Sequence, residues 1–281
     1  MRLPDWIKVE TKKNRGCHDT RKILRGRKLN TVCEEARCPN QGRCFERSTA
    51  TFLILGDTCT RGCGFCAVAH GMPGAPEPDE PARVAEASLE MGLKYVVVTS
   101  VTRDDLPDGG AMQFAKTISA VRAAIPDARV EVLTPDFGGD EAALRTVLDA
   151  RPDVFNHNVE TVPRLYPEVR PRAAYRRSLD LLAAAKRISP ATITKSGIMV
   201  GLGETFDEVA VVFADLRDAG CDLLTIGQYL RPRRTNIPVR EYVTPEIFDM
   251  YRARAMAAGF RNVASAPLVR SSMKAEEMIH A

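Results

Sequence analysis

Gly56-Asp57-Thr58-Cys59-Thr60-Arg61-Gly62-Cys63-Gly64-Phe65-Cys66 sets three cysteines at the spacing C-x3-C-x2-C, directly after the apolar run Thr51-Phe52-Leu53-Ile54-Leu55. A structural zinc site takes four protein ligands in a tetrahedron, so three thiolates this close together suit an iron–sulfur cube better. If three cysteines hold a four-iron cube, one iron has no protein ligand and is open to a small molecule. The apolar run reads as a short buried strand. A ligand-bearing loop at the C-terminal end of a strand is where parallel α/β folds place their sites.

Toward the N-terminus a second group follows the spacing C-x4-C-x5-C, in Thr31-Val32-Cys33-Glu34-Glu35-Ala36-Arg37-Cys38-Pro39-Asn40-Gln41-Gly42-Arg43-Cys44. Pro39, Asn40 and Gly42 favour turns, which makes this a loop that wraps its ligands around something. Zinc is again one ligand short, with no further cysteine or histidine nearby in the sequence. An iron–sulfur site completed by a distant residue or by substrate fits better.

These two groups take six of the eight cysteines, and Cys17 and Cys221 read as isolated thiols. The N-terminus, Met1-Arg2-Leu3-Pro4-Asp5-Trp6, has no apolar core of a secretory signal. Clustering in such a chain points to metal rather than disulfides and to a reducing compartment, so a cytoplasmic location is expected. No apolar run approaches the ~18 residues of a membrane span. With 44% apolar and 27% charged residues the chain is an ordinary globular one, and its net charge of +4 is too mild to imply nucleic acid. Lys12, Lys13, Arg15, Arg21, Lys22, Arg25, Arg27 and Lys28 make residues 1–32 read as a basic, irregular, solvated arm, or as a docking surface for an acidic partner.

Toward the C-terminus, short β-rich runs at 51–55, 95–99, 129–133, 153–156, 192–200 and 223–226 alternate with helical patterns. Phe114, Ile118, Val121 and Ile125 form one apolar stripe; Val209, Val212, Phe213 and Leu216 form another; Leu179, Leu182 and Ala183 begin a third. Six β-α alternations with continuously apolar strands predict a parallel sheet covered by helices, open or as a complete or partial barrel. The polar, turn-rich sequences fall at the strand ends: the Cys59 loop, Thr99-Ser100-Val101-Thr102-Arg103-Asp104-Asp105, Thr134-Pro135-Asp136, Asn156-His157-Asn158 and Gly201-Leu202-Gly203-Glu204. His157 has the look of a histidine satisfied by a neighbour inside the fold. The tail from residue 266 reads as an excursion back over the domain.

Cys59, Cys63 and Cys66, with Phe65 before the last of them and a strand before the first, resemble the signature of the radical S-adenosylmethionine enzymes. The second cysteine group then closely resembles the auxiliary-cluster motif of lipoyl synthases, and the likeness runs through nearly the whole chain. It includes Arg103-Asp104-Asp105-Leu106-Pro107-Asp108-Gly109-Gly110, Phe155-Asn156-His157-Asn158, Lys195-Ser196-Gly197, Gly227-Gln228-Tyr229-Leu230 and Arg270-Ser271-Ser272.

That resemblance implies an α/β fold built on a partial (β/α)6 barrel at 51–265. It places an N-terminal cluster-binding extension at 1–50 and a tail at 266–281 that folds back over the barrel mouth. It implies two 4Fe–4S clusters: Cys59, Cys63 and Cys66 hold the one that binds S-adenosylmethionine, and Cys33, Cys38 and Cys44 hold the other. The family's remaining ligand is a serine in its tail, matched here by Ser272, with Ser271 close behind. An alkoxide bonds iron less durably than thiolate, so that iron can be freed when the cube is dismantled.

The implied reaction is a sulfurtransferase one. One electron breaks a C–S bond of S-adenosylmethionine, and the resulting 5′-deoxyadenosyl radical takes hydrogen from C6 and then C8 of an octanoyl-lysine. Sulfide of the auxiliary cluster captures each carbon. An unactivated C–H bond has no acidic proton, which is why a cofactor-derived radical is needed. Thr99, Ser100, Asn156, Asn158, Glu160, Gly201 and Glu204 are the expected S-adenosylmethionine contacts, with the glycines giving close backbone approach. The expected partners are an octanoylated lipoyl-carrier domain, of the glycine cleavage H protein or 2-oxoacid dehydrogenase E2 type, and a ferredoxin- or flavodoxin-type electron donor. Neither nucleic acid nor membrane is expected. Such carriers are typically acidic, which suits the basic arm and Arg231, Arg233 and Arg234. Met273 departs from the tyrosine of the family's tail.

Overall fold

The computed structural model describes residues 2–8 and 15–279; Lys12 and Lys13 lie outside the described residues, as does the side chain of Arg15. The chain divides into two units, Val9–Gly62 with Ala67–Phe155, and Met1–Lys8 with Cys63–Cys66 and Asn156–Ala281.

The first unit opens with α1 (Arg15–Gly26), where an irregular arm was expected. Cys17, Thr20 and Leu24 share one helical face and are buried. The Thr20 hydroxyl donates to the Phe45 carbonyl at 2.7 Å, and a Cβ on Gly16 would sit 2.7 Å from the Glu46 carbonyl oxygen. The basic residues Arg21, Lys22 and Arg25 and the surrounding polar ones hide this face in the sequence.

The cysteine loop that follows is two short helices, α2 (Val32–Glu35) and α3 (Gln41–Glu46), reached through β1 (Asn30–Thr31). Then come β2 (Thr51–Ile54), β3 (Thr58–Cys59), β4 (Ala69–His70), α4 (Glu80–Glu90), β5 (Tyr95–Ser100), α5 (Ala111–Ala124), β6 (Arg129–Leu133) and α6 (Glu141–Asp149). β7 (Val154–Asn156) ends the unit, with its last residue in the other one. β2, β5 and β6 pair in parallel, Thr51 with Val97 and Tyr95 with Arg129, while β1 adds to β2 in antiparallel. All of β2 is buried, as its continuous apolar run requires. In α5 Phe114, Ile118 and Val121 of the expected stripe are fully buried, while Ile125, just past the helix end, is half-buried.

The second unit begins with a 3-10 turn, Asp5–Ile7, whose Ile7 is buried. It continues through α7 (Tyr166–Val169), α8 (Tyr175–Ile188), β8 (Ile193–Val200), α9 (Phe206–Asp218), β9 (Leu223–Gln228), α10 (Pro245–Ala257), β10 (Asn262–Ser265) and α11 (Ala275–Met278). β8, β9 and β10 are parallel, with Lys195 and Asn262 both opposite Leu223. β10 was not anticipated: four residues, two of them polar, give no strand signal of their own, and the strand exists through its bonds to β9.

In α8 the buried face runs through Ser178, Leu179, Leu181, Leu182 and Ala185; Leu179 and Leu182 of the expected stripe belong to it, while Ala183 is exposed. In α9 Val209, Val212, Phe213 and Leu216 are all fully buried. Each such side chain contributes about 1.5–3 kcal/mol of transfer free energy.

After β10 the chain runs on beside β9 in the same direction, with Ala266 N–H bonded to the Ile226 carbonyl and Gln228 N–H to the Pro267 carbonyl, both at 3.2 Å. Its end is tied to β10: Asn262 Nδ2 donates to the Met278 carbonyl at 3.1 Å and Arg261 Nη2 to the Ile279 carbonyl at 3.0 Å. Among the described residues no helix is long and apolar enough to cross a membrane.

Candidate functional site

β2 ends in a strained turn. Leu55 has φ +69° and Gly56 φ +93°, the left-handed region that a leucine adopts only under constraint. Both oxygens of the buried Glu80 carboxylate accept from Leu55 N–H, at 3.1 and 3.0 Å. Arg103 Nη1 donates to the Leu55 carbonyl at 3.3 Å. Burial pushes the Glu80 carboxyl up from its ordinary value, and the Leu55 and Gln113 donors oppose that shift. The residue that launches the cysteine loop is thus held at both its N–H and its carbonyl.

Residues 59–61 are stitched to 102–104. Thr60 N–H and Thr60 Oγ1 both donate to the Thr102 carbonyl at 3.0 Å, and Asp104 N–H donates to Thr60 Oγ1 at 3.1 Å. Cys59 Sγ accepts two backbone N–H groups, from Arg61 at 3.4 Å and from Thr102 at 3.3 Å. Such donors favour a sulfur that bears negative charge, as a cluster ligand does, so Cys59 fits the group.

Between the cysteines stands Arg61, only 8% exposed. Its Nε and Nη2 form a fork on Asp104 at 2.8 and 2.7 Å, and Nη2 also reaches the buried Asp136 at 2.7 Å. Burial works against the Arg61 charge, but the two aspartates outweigh it and hold the guanidinium above its ordinary value. The bond from Arg61 in turn pulls the Asp104 carboxyl below its ordinary value, against a smaller effect of burial.

Cys63–Cys66 belongs to the other unit and has its own supports. Gly64 N–H donates to the Val169 carbonyl at 3.0 Å, and Asn236 Nδ2 donates to the carbonyls of Gly64 at 3.1 Å and Cys66 at 2.8 Å. Cys66 N–H closes a turn onto the Cys63 carbonyl at 3.1 Å. A Cβ on Gly64 would press on the Glu168 carbonyl oxygen and Ile237 Cγ2, each at 3.0 Å.

In the first unit, Cys33 lies in α2, Cys38 in the connecting turn and Cys44 in α3. Cys38 N–H donates to the Cys33 carbonyl and Cys44 N–H to the Asn40 carbonyl, both at 3.0 Å. Burial pushes the Cys33 thiol up to about 12, with the Cys38 and Cys44 thiols adding to the rise and Thr51 opposing it. A metal must therefore displace that proton for Cys33 to bind as thiolate. Among the described residues no three His, Cys, Asp or Glu side chains are gathered tightly enough to hold one bare metal ion. A four-iron cube keeps its ligands farther apart than a single ion does.

The residues expected at the strand ends fall into two kinds. Some are occupied by the fold. Thr99 Oγ1 donates to the Leu133 carbonyl at 2.9 Å, and His157 Nε2 meets Ser178 Oγ at 2.9 Å. Glu204 closes its own turn by accepting from Leu202 N–H at 2.9 Å and from Gly201 N–H. Gly201 has φ +96°, and a Cβ there would come within 2.1 Å of Gln228 Nε2.

Others are buried polar groups at strand ends. Ser100 Oγ is buried without a hydrogen-bond partner in the described structure. Asn156 is fully buried at the end of β7. Glu160, at φ +65°, has its carboxyl pushed up by burial, with Arg170, Asn158 and Arg270 opposing the shift. Asn158 Nδ2 donates to Glu160 Oε1 at 3.1 Å and to Ser271 Oγ at 2.9 Å, and Ser271 Oγ donates to Asn158 Oδ1 at 3.2 Å. Ser272, the next residue, is half-buried.

Sequence reasoning quoted Arg61, Asp136 and Lys195 within longer motifs without giving them a role of their own, and did not single out Glu80. The available signal was charge out of place: a cation between two cysteines, and a lysine inside an apolar strand.

Comparison with known proteins adds the family. The model of the Radical SAM superfamily matches residues 53–216. The chain is 57% identical over 276 residues to the lipoyl synthase of Caldanaerobacter subterraneus subsp. tengcongensis, covering 98% of this chain and 96% of that protein. It is 55% identical over 274 residues to the lipoyl synthase of Rubrobacter xylanophilus, covering 98% of this chain and 85% of that one. Among solved structures, methylornithine synthase aligns over 92% of this chain and 84% of its own with a TM-score of 0.56 at 14% identity, a likeness of fold. With a superfamily match over more than half its length and relatives more than half identical along nearly all of it, the chain belongs to the lipoyl synthases of the radical SAM superfamily.

Proposed function

We propose that Cys59, Cys63 and Cys66 hold one 4Fe–4S cluster and that Cys33, Cys38, Cys44 and Ser272 hold a second, in an enzyme that inserts two sulfur atoms, at C6 and C8, into a protein-bound octanoyl chain. The activity rests on identities of 57% and 55% to proteins named lipoyl synthase. One observation carries the ligand assignment: two backbone N–H groups converge on Cys59 Sγ. Ser272 is assigned by its match to the serine of the family's tail, and its neighbour Ser271 is bonded to Asn158 on both its donor and its acceptor side.

When bound, the clusters and S-adenosylmethionine supply the one-electron chemistry and the sulfur that attack on an unactivated C–H bond requires. The chain's own residues bind, orient and exclude water. Arg61, Asp104 and Asp136 fix the backbone that presents Cys59. Burial of Cys33 keeps water away from a thiolate. Ser100, Asn156, Asn158 and Glu160 offer polar groups to S-adenosylmethionine, while Thr99, Gly201 and Glu204 act by holding the shape of the strand ends.

The acceptor is an octanoylated lipoyl-carrier domain. We assign it to the glycine cleavage H protein or 2-oxoacid dehydrogenase E2 type, with a ferredoxin- or flavodoxin-type electron donor, in the cytoplasm.

Anaerobic reconstitution with iron and sulfide should load about eight irons per chain, two cubes. The loaded enzyme, given a reductant and S-adenosylmethionine, should convert an octanoyl-lysine peptide to its lipoyl form. Cys33→Ala should leave 5′-deoxyadenosine formation and abolish sulfur transfer, whereas Cys63→Ala should abolish both. Zinc bound in stoichiometric amount with no iron retained would sink the assignment.

A further inference from the structure

Two motifs, Lys195-Ser196-Gly197 and Gly227-Gln228, have no part in the chemistry above. β8 and β9 are in register, with Gly197 opposite Thr225 and Met199 opposite Gly227. Side chains alternate along a strand, so Lys195, Gly197 and Gly227 stand on one face of this pair. Neither glycine has a positive φ, so neither is there to make a turn.

What they permit is close approach. A Cβ on Gly227 would lie 2.3 Å from the Val269 carbonyl oxygen, and a Cβ on Gly197 would lie 2.7 Å from Asn158 Oδ1. The tail therefore crosses this face over bare backbone. There it meets Lys195, which is fully buried and donates from Nζ to the Ser271 carbonyl at 2.6 Å. An ammonium is costly to bury unless it is well hydrogen-bonded, so a lysine at a strand position that any apolar residue would fill implies a task for its charge. That charge reaches the peptide carbonyl joining Ser271 to Ser272, while Asn158 holds the Ser271 side chain.

We infer that Lys195 is a positioning residue: with Asn158, and with Gly227 making room, it latches the tail at Ser271 so that the adjacent Ser272 is presented to the iron it ligates. The inference rests on the reading of Ser272 as a cluster ligand, but the latch itself is a property of the metal-free chain. A fixed Ser271 carbonyl leaves only the torsions of Ser272 to be ordered when the metal arrives.

Amide hydrogen exchange of residues 266–279 tests this in the metal-free and reconstituted full-length protein. The Val269 and Met273 N–H groups are bonded to the Ala266 and Arg270 carbonyls and report on the tail. Lys195→Met should raise their exchange by about tenfold or more in the metal-free protein while α9 keeps its protection. Lys195→Arg should restore protection in part. In the reconstituted protein Lys195→Met should also alter the Mössbauer signature of the second cluster, which a lysine with a merely structural role would leave unmoved. Tail amides as protected in Lys195→Met as in the parent chain would overturn the latch. If Lys195→Met fails to fold, Gly227→Ala, on the same face, presses on the Val269 carbonyl, loosens the tail there and yields the same readout. Ser272→Ala separates the two ideas: an unchanged cluster signature there defeats the ligand reading, while loss of tail protection in Lys195→Met still upholds the latch.

Discussion

Arg61 shows how much a single buried charge decides. Its guanidinium neutralises Asp136, which is 1% exposed, and ties the cysteine loop to the ends of β5 and β6. Removing one partner of such a pair leaves an uncompensated charge in the interior, which costs about 3–5 kcal/mol. Arg61→Met should therefore destabilise the metal-free chain by about that amount in urea denaturation. Asp136→Asn made together with Arg61→Met should recover part of the loss, since no bare carboxylate is then left behind. Lys at this position supplies the charge without the planar fork and should fall between the two. The cysteines around Arg61 were legible from their spacing, because a cluster motif is local. Arg61 was not, because its partners lie 43 and 75 residues further along the chain and become its partners only when the sheet forms.

Among the elements, α9 is the one whose ends and face were both written locally. Its apolar stripe is buried as expected, and its start is a capping box: Glu208 N–H donates to Thr205 Oγ1 at 3.2 Å, and Thr205 N–H donates to Glu208 Oε2 at 2.8 Å. Thr205→Ala should cost about 1 kcal/mol in thermal or urea unfolding. Arg164 adds a fork on Glu208 at 2.7 and 2.9 Å and, with the Thr205 amide, draws the carboxyl down to about 2. A carboxyl that ionises more readily folded than unfolded stabilises the fold above its unfolded value, about 4.3. That contribution fades as pH falls toward about 2. Glu208→Gln should flatten this part of the acid limb of a melting-temperature profile and leave the neutral limb parallel to the parent. By contrast α1 and β10 were hidden. The burial of Cys17, Thr20 and Leu24 lies under a basic composition, and four-residue β10 takes its extended form from β9.

At the scale of the whole molecule, the polar strand ends were the most telling feature of the sequence, since parallel α/β units gather function there. Which of those polar groups serve the fold and which stay open to a ligand depended on hydrogen bonds that spacing does not reveal. The surface has its own consequence. The chain carries a net charge of +4, and Arg231, Arg233 and Arg234 are exposed. An acidic carrier should meet it with electrostatic help that salt screens. Raising ionic strength from about 0.05 to 0.5 M should increase KM for an intact acidic carrier domain several-fold and leave KM for a short neutral octanoyl-lysine peptide nearly unchanged. Equal salt dependence for both substrates would remove the steering argument.

The carbonyl held by Lys195 also bears on kinetics. If Ser272 ligates iron as proposed, it does so one peptide away from a fixed point, on a tail tied down again at Met278 and Ile279, and would not need to search for its metal. Its effective concentration is about millimolar or higher, as for any short tether. On the proposed reading, with Ser272 as a ligand, a weak bond presented that way would break and re-form without the tail leaving the sheet.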